Sequence, residues 1–329
     1  MNNSTNTSRS IEHGIDITKL FCAFLIVYGH SYIDDIGLLS TWFRNNITII
    51  GVPFFFITSG YLFKKGLTRN NNSTTYLKKY VLRVTKMYIA WSIITLPVSW
   101  MCIEWGHPDY SFPVKIIYMF RMFLFSGSCG IYWYLLAMIM CCPIIFLFSV
   151  KRKEKLLFFI AVILFIVGLI YNSPYNNNNI LFVFIHIVFG SERNFLNVGL
   201  FYMCIGYYFA SHPTRFKTRL LIIVFFISII AKTFENQYWG ISSMKVFIAV
   251  SLFILARSLN IKISDRLSIS IRKLSTALYL LHFPFLLVYD YYFSRGTLTG
   301  FFSAIAFSVT VYYFLKWVLP EKNMKLLFG

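Results

Sequence analysis

The chain reads as an all-α polytopic membrane protein of about ten transmembrane helices, both termini cytoplasmic, with short interfacial or re-entrant segments. Apolar residues make up 57% of its 329 positions, and mean hydropathy is +0.64. No water-soluble domain of this length hides that much apolar surface, because much of any globule faces water. Apolar stretches also recur along the whole chain, and a helix crossing the hydrocarbon needs roughly 20 such residues, with every backbone polar group satisfied inside it. Finally, charge alternates between the gaps. Twenty-four of the 31 lysines and arginines fall on one side, in the two terminal tails, every second gap and the adjoining span ends. With five acids they account for the entire formal excess of +19, while the other side holds seven bases against seven acids. Basic loops stay in the cytoplasm.

The expected spans follow in order. The first, 15–34, contains Asp16-Ile-Thr-Lys19 and ends beyond Tyr28-Gly-His30. The second, 46–63, carries Gly51-Val-Pro53 and then Thr58-Ser59-Gly60-Tyr61. The third is 84–103, preceded by Lys78, Lys79 and Arg83. The fourth, 131–149, opens on the aromatic run Tyr132-Trp133-Tyr134. Hydropathy alone gives 156–172, 195–211, 220–236 and 244–260. The ninth, 274–293, holds Tyr279, His282 and Pro284, and the tenth is 298–319. Stretches 114–126 and 180–189 are apolar but short, and fit interfacial or re-entrant pieces better than crossings. The domain layout is then a polar cytoplasmic tail over 1–14, one membrane domain over 15–319 and a cytoplasmic tail over 320–329. The Asn-rich runs 70–74 and 175–179 mark loops. No short apolar core with a small-residue cleavage site follows the N-terminal tail, so no cleaved signal peptide is expected.

A pI of 9.7 would suit a nucleic-acid binder. Here the charge is spread over short juxtamembrane loops, which topology and anionic lipid explain, so no nucleic-acid partner is expected. Six cysteines lack C-x-x-C spacing, which argues for packing rather than metal; Cys102 and Cys129 are a possible outer pair.

Ionisable groups inside spans are costly and mark function. At about 100° per residue, the eleven steps from Lys19 to His30 end about 20° past three turns, and the fourteen from Asp16 about 40° short of four. Asp16, Lys19 and His30 therefore share a stripe, with His30 about 16 Å beyond Lys19. A basic mouth leading to an imidazole suits an extended anionic ligand drawn in from the cytoplasm. The structural alternative is a snorkelling lysine with a histidine bonded to a neighbouring helix. Ser59 and Gly60 read first as a close-packing seam, and Trp133 as part of an interfacial aromatic belt. A second histidine at depth, His282, is harder to assign to packing when it accompanies His30.

In order along the chain, DITKLFCAFLIVYGH, VPFFFITSGYLF, IYWYLLAM, GLFYMCIGYYF and STALYLLHFPF together resemble the acyltransferase-3 family. That resemblance spans the whole membrane domain. It implies a membrane-bound O-acetyltransferase of the bacterial cytoplasmic membrane, like the compact family members acting on O-antigen or enterobacterial common antigen. Such an enzyme moves acetyl from cytoplasmic acetyl-CoA, a co-substrate rather than a bound cofactor, to a surface polysaccharide or its lipid-linked precursor. No metal is implied. The family's basic-x10-His motif falls on Lys19 and His30. Its Arg-x-x-Arg stretch falls on Tyr80 to Arg83, where only the second arginine is present, with Lys79 and Lys86 nearby. Ser59, Gly60, Trp133, Tyr279 and His282 match positions that recur in the family.

On this reading Lys19, Arg83, Lys79 and Lys86 hold the donor's phosphates. His30 is the general base toward a sugar hydroxyl, or else a covalent acyl carrier. Asp16 pairs with or orients Lys19, and His282 and Trp133 orient the acceptor. A polysaccharide polymerase or flippase and a secondary transporter are the rival classes. Short neutral outer loops count against the first, and the absence of two related halves against the second.

Overall fold

The computed structural model describes residues 12–33, 37–171, 194–212, 216–238 and 243–329, and among these it is helical with no strand. Its α-helices are α1 His13–Ser31, α2 Leu38–Asn46, α3 Gly51–Arg69, α4 Ser73–Ile94, α5 Leu96–Gly106, α6 Phe112–Arg121, α7 Trp133–Val150 and α8 Glu154–Tyr171. There follow α9 Leu200–Ser211, α10 Thr218–Tyr238, α11 Lys245–Ser258, α12 Asp265–Tyr292, α13 Leu298–Val318 and α14 Glu321–Phe328. All ten expected spans coincide with helix. Among the described residues, four helical runs are individually long and apolar enough to cross a membrane: Leu38–Arg69, Trp133–Val150, Asp265–Tyr292 and Leu298–Val318. The stretch 180–189 and the Asn-rich run 175–179 lie outside the described residues.

Four features add detail to these expectations. The third span is not straight: α4 and α5 meet at a 65° bend. Pro97 sits in the first turn of α5, where its missing N–H and its ring prevent the α4 ladder from continuing. The second span begins earlier, because a 3-10 turn over Thr48–Ile50 joins α2 to α3. The sixth opens with a π-helical turn, Phe195–Gly199, and the short 114–126 stretch ends in another, Met122–Ser126. The 320–329 tail is helix, and Met324 and Phe328 are buried while Trp91 Nε1 donates to the Leu327 carbonyl at 2.7 Å.

Glycine sets the closest packing. A Cβ on Gly60 would strike the Met203 backbone, and one on Gly206 the Ile57 carbonyl, so α3 and α9 touch backbone to backbone. Without a hydrophobic drive between helices in lipid, such approach is what dispersion requires. Ser59 lies in this seam and is buried.

Contacts fix the directions of the central helices. Gly51 faces Cys22 and Ile26 of α1, while Tyr61 Oη donates to Glu12 at 2.7 Å, so α3 runs opposite to α1. Asp16 meets Ser268 and His30 meets His282, so α12 runs alongside α1 in the same sense. One end of the bundle thus gathers Asp16, Lys19, Lys65 and Arg272, and the other His30, Gly51, Trp133 and Tyr291.

Candidate active site

At the lysine-rich end, α1 and α12 are joined through a buried carboxylate. Asp16 accepts from Arg272 Nε at 2.9 Å, from Arg272 Nη2 at 2.7 Å and from Ser268 Oγ at 2.8 Å. Ser268 and Arg272 are one helical turn apart, so both reach the same acceptor. From the sequence, Asp16 is expected to pair with or orient Lys19; its hydrogen bonds go to Arg272 and Ser268, and it acts on Lys19 through charge. The guanidinium fork matches a carboxylate in a way that an ammonium cannot. Lys19 instead extends over the Phe55 ring, 5.7 Å from its centroid, within Coulombic reach of Arg272 and Arg83 as well as Asp16. Arg83 lies over the Tyr80 ring at 5.3 Å. Arg272 thus bonds the carboxylate, and Lys19 stands within Coulombic reach of both and of Arg83. Lys79, Arg83 and Lys86 follow at spacings of four and three along α4 and are all exposed, a basic stripe leading up to this cluster.

At the opposite end two imidazoles meet, and their surroundings fix their protons. His282 Nδ1 donates to the Leu278 carbonyl at 2.7 Å, one turn earlier. His30 Nδ1 donates to the Ile26 carbonyl at 2.9 Å and lies 3.2 Å from His282 Nε2. Carbonyls only accept, so each neutral ring carries its proton on Nδ1. The single His30 Nδ1 proton is then shared between the Ile26 carbonyl and His282 Nε2, and His30 Nε2 bears the lone pair. His282 is fully buried, whereas half-buried His30 lines two clefts.

The wall opposite is held by a proline. Pro284 lacks the N–H that would bond the Leu280 carbonyl, and Tyr132 Oη donates to that oxygen at 3.1 Å. Tyr279 Oη bonds the Ile131 carbonyl next door. Gly127 and Gly130 turn this loop at φ 85° and 59°, where a side chain would strain, and so aim Trp133 at the cleft.

The larger cleft, about 680 Å³, is lined by His30, Trp133, Tyr279, Arg44 and Lys245 among others. The smaller, about 430 Å³, is lined by His30, Trp105, Asp290, Tyr291 and Arg295 among others. The structure thus brings His30, His282, Trp133 and Tyr279 together, and separately sets Lys19 within Coulombic reach of Arg83. Ser59 belongs elsewhere: it bonds Tyr134 Oη at 2.6 Å inside the packed core and lines neither cleft. Arg272, Tyr32, Trp105 and Arg295 were missed. A charge within reach of a span's start was the available signal for Arg272, and the other three read as ordinary interfacial residues.

Two curated relatives, both named amino-acid racemase and both from Enterococcus faecalis, are each 26% identical to the chain, over 248 and 258 residues. These alignments cover 69% and 74% of this chain but only 33% and 35% of the relatives, so the chain spans about one third of their length. No solved structure matches. The family described as an acyltransferase domain matches residues 12–317, taking in both histidines, the cation cluster and every helix from α1 to the end of α13 but its last residue; the chain belongs to this acyltransferase-3 family.

Proposed function

We propose that this membrane acyltransferase moves an acetyl group from cytoplasmic acetyl-CoA to a hydroxyl of a surface polysaccharide or its lipid-linked precursor. Its setting is the bacterial cytoplasmic membrane, crossed about ten times with both termini inside. The observation that carries the reading is His30, which lines two clefts and is hydrogen-bonded to the buried His282 behind it. Lys19, Arg83 and Arg272 take the donor's phosphates, and charge-assisted contacts are the strongest available there. The pantetheine arm then covers the roughly 16 Å from Lys19 to His30 along α1.

A sugar hydroxyl is too weak an acid to ionise near neutrality. His30 Nε2 takes its proton as the oxygen bonds to the thioester carbonyl carbon. The carbon–sulfur bond then breaks, and the departing thiolate recovers the proton from the imidazolium. His282, neutral and fully buried, accepts from His30 Nδ1 throughout and holds the ring in the tautomer that makes Nε2 the base. Racemisation is the alternative raised by the relatives' name. It requires proton-transferring groups on opposite faces of one carbon, whereas these imidazoles contact each other directly, with Nε2 and Nδ1 only 3.2 Å apart.

His30→Ala, assayed in lipid nanodiscs with radiolabelled acetyl-CoA and surface glycan from cells lacking the protein, is expected to lose at least about 100-fold in transfer. It should retain normal membrane insertion and thermal stability. Full transfer by this variant removes His30 from the chemistry.

A further inference from the structure

The two clefts are not independent. Their linings share three residues, His30, Tyr32 and Phe283, so they approach the same imidazole from two sides. Between them stands Tyr32, the C-cap of α1, in the left-handed region at φ 49° and ψ 39°. A side chain other than glycine adopts this conformation at a cost, and such residues persist where surrounding structure holds them. Tyr32 is held by two arginines, one from each cleft: Arg44 lies 5.1 Å and Arg295 4.4 Å from its ring centroid.

Both clefts also offer similar recognition chemistry. In the smaller, Trp105 stacks on Tyr291 with centroids 5.4 Å apart and planes inclined by 17°, and Asp290 pairs with Arg295 at 3.7 Å. In the larger, Trp133 and Tyr279 stand with Arg44 and Asn45. Aromatic faces that pack on sugar rings, beside carboxylate, guanidinium and amide groups that bond hydroxyls, occur on either side of the base. Their volumes, about 430 and 680 Å³, each fall in the range of a site for a small organic ligand, so together they exceed one sugar ring. A single terminal sugar would need one pocket over His30, not two.

We infer that the clefts form one saddle-shaped acceptor groove, crossed at Tyr32, in which an oligosaccharide or longer glycan lies with an internal residue over His30. This rests on the acyltransferase reading above and specifies its acceptor: the flanking sugars on both sides of the modified one are bound. Trp105 and Tyr291 hold one flank and Trp133 the other. They set specificity and do not take part in proton transfer.

The test uses the full chain in lipid nanodiscs with radiolabelled acetyl-CoA. Acceptors are fragments of one to four repeat units, cut by partial hydrolysis from de-esterified glycan of cells lacking the protein. We expect kcat/KM to rise about tenfold or more from one unit to three, with mass spectrometry placing acetyl on internal residues. Trp105→Ala, and independently Tyr291→Ala, should abolish most of that gain, bringing the three-unit to one-unit ratio of kcat/KM toward unity, with the KM for acetyl-CoA measured beside it. Both side chains are exposed, and the acetyl-CoA readout reports whether a variant is folded. Equal efficiency at every length, or acetyl confined to chain ends, overturns this proposal while leaving the acetyltransferase reading intact. Transfer to none of the fragments overturns both.

Discussion

Carbonyls one turn earlier in each helix decide what His30 and His282 can do. Leu278 takes the His282 Nδ1 proton, and Ile26 shares that of His30 with His282 Nε2, which leaves His30 Nε2 as the nitrogen proposed to act as base. Asp16 is governed in the same local way, since the Arg272 fork and the Ser268 hydroxyl bond it and Lys19 lies over the Phe55 ring. Arg272→Ala strands a buried carboxylate and should lower stability by about 3 kcal/mol, read by thermal unfolding in detergent. Adding Asp16→Asn should recover much of it; a loss that persists in the double variant would mean that packing, not the ion pair, is responsible. The periodicity of a single helix made Lys19 and His30 legible in the sequence, because eleven residues fix their relative direction. Nothing local announces a partner lying 256 positions away, which is why Arg272 escaped.

Hydropathy located the helices well, since each must satisfy its own backbone in lipid. Interruptions were harder to see. A windowed average passes smoothly over the bend after Ile94, although Pro97 marks it, and cannot distinguish an α turn from the π turns at Met122–Ser126 and Phe195–Gly199. Both π turns supply cleft lining, Ser126 and Val198, as such turns do at functional sites. Pro284 leaves a carbonyl that another element must cap. Tyr132→Phe removes only that capping hydroxyl, and should cost about 1–2 kcal/mol by leaving the Leu280 oxygen short of its partner. Transfer should fall further than stability, because the same loop aims Trp133. Acceptor KM measured beside the melting temperature checks this, and an unchanged acceptor KM would uncouple the loop from the cleft.

Across the whole molecule, the chain's charge is distributed by end. The +19 excess lies in the loops expected at one face, and Lys19, Arg83 and Arg272 gather at one end of α1 while the histidine pair stands at the other. On the proposed acetyl-CoA reading, that cation cluster has a consequence for how the donor arrives. Long-range attraction of a polyanion is blunted by mobile ions over a distance of about 10 Å at 0.1 M salt, shrinking to about 3 Å at 1 M. Raising ionic strength should therefore slow turnover when acetyl-CoA is scarce and leave it untouched when acetyl-CoA saturates. Replacing Lys19 with alanine should flatten that dependence, so the ionic response itself becomes a gauge of capture at the mouth as distinct from chemistry at the histidines.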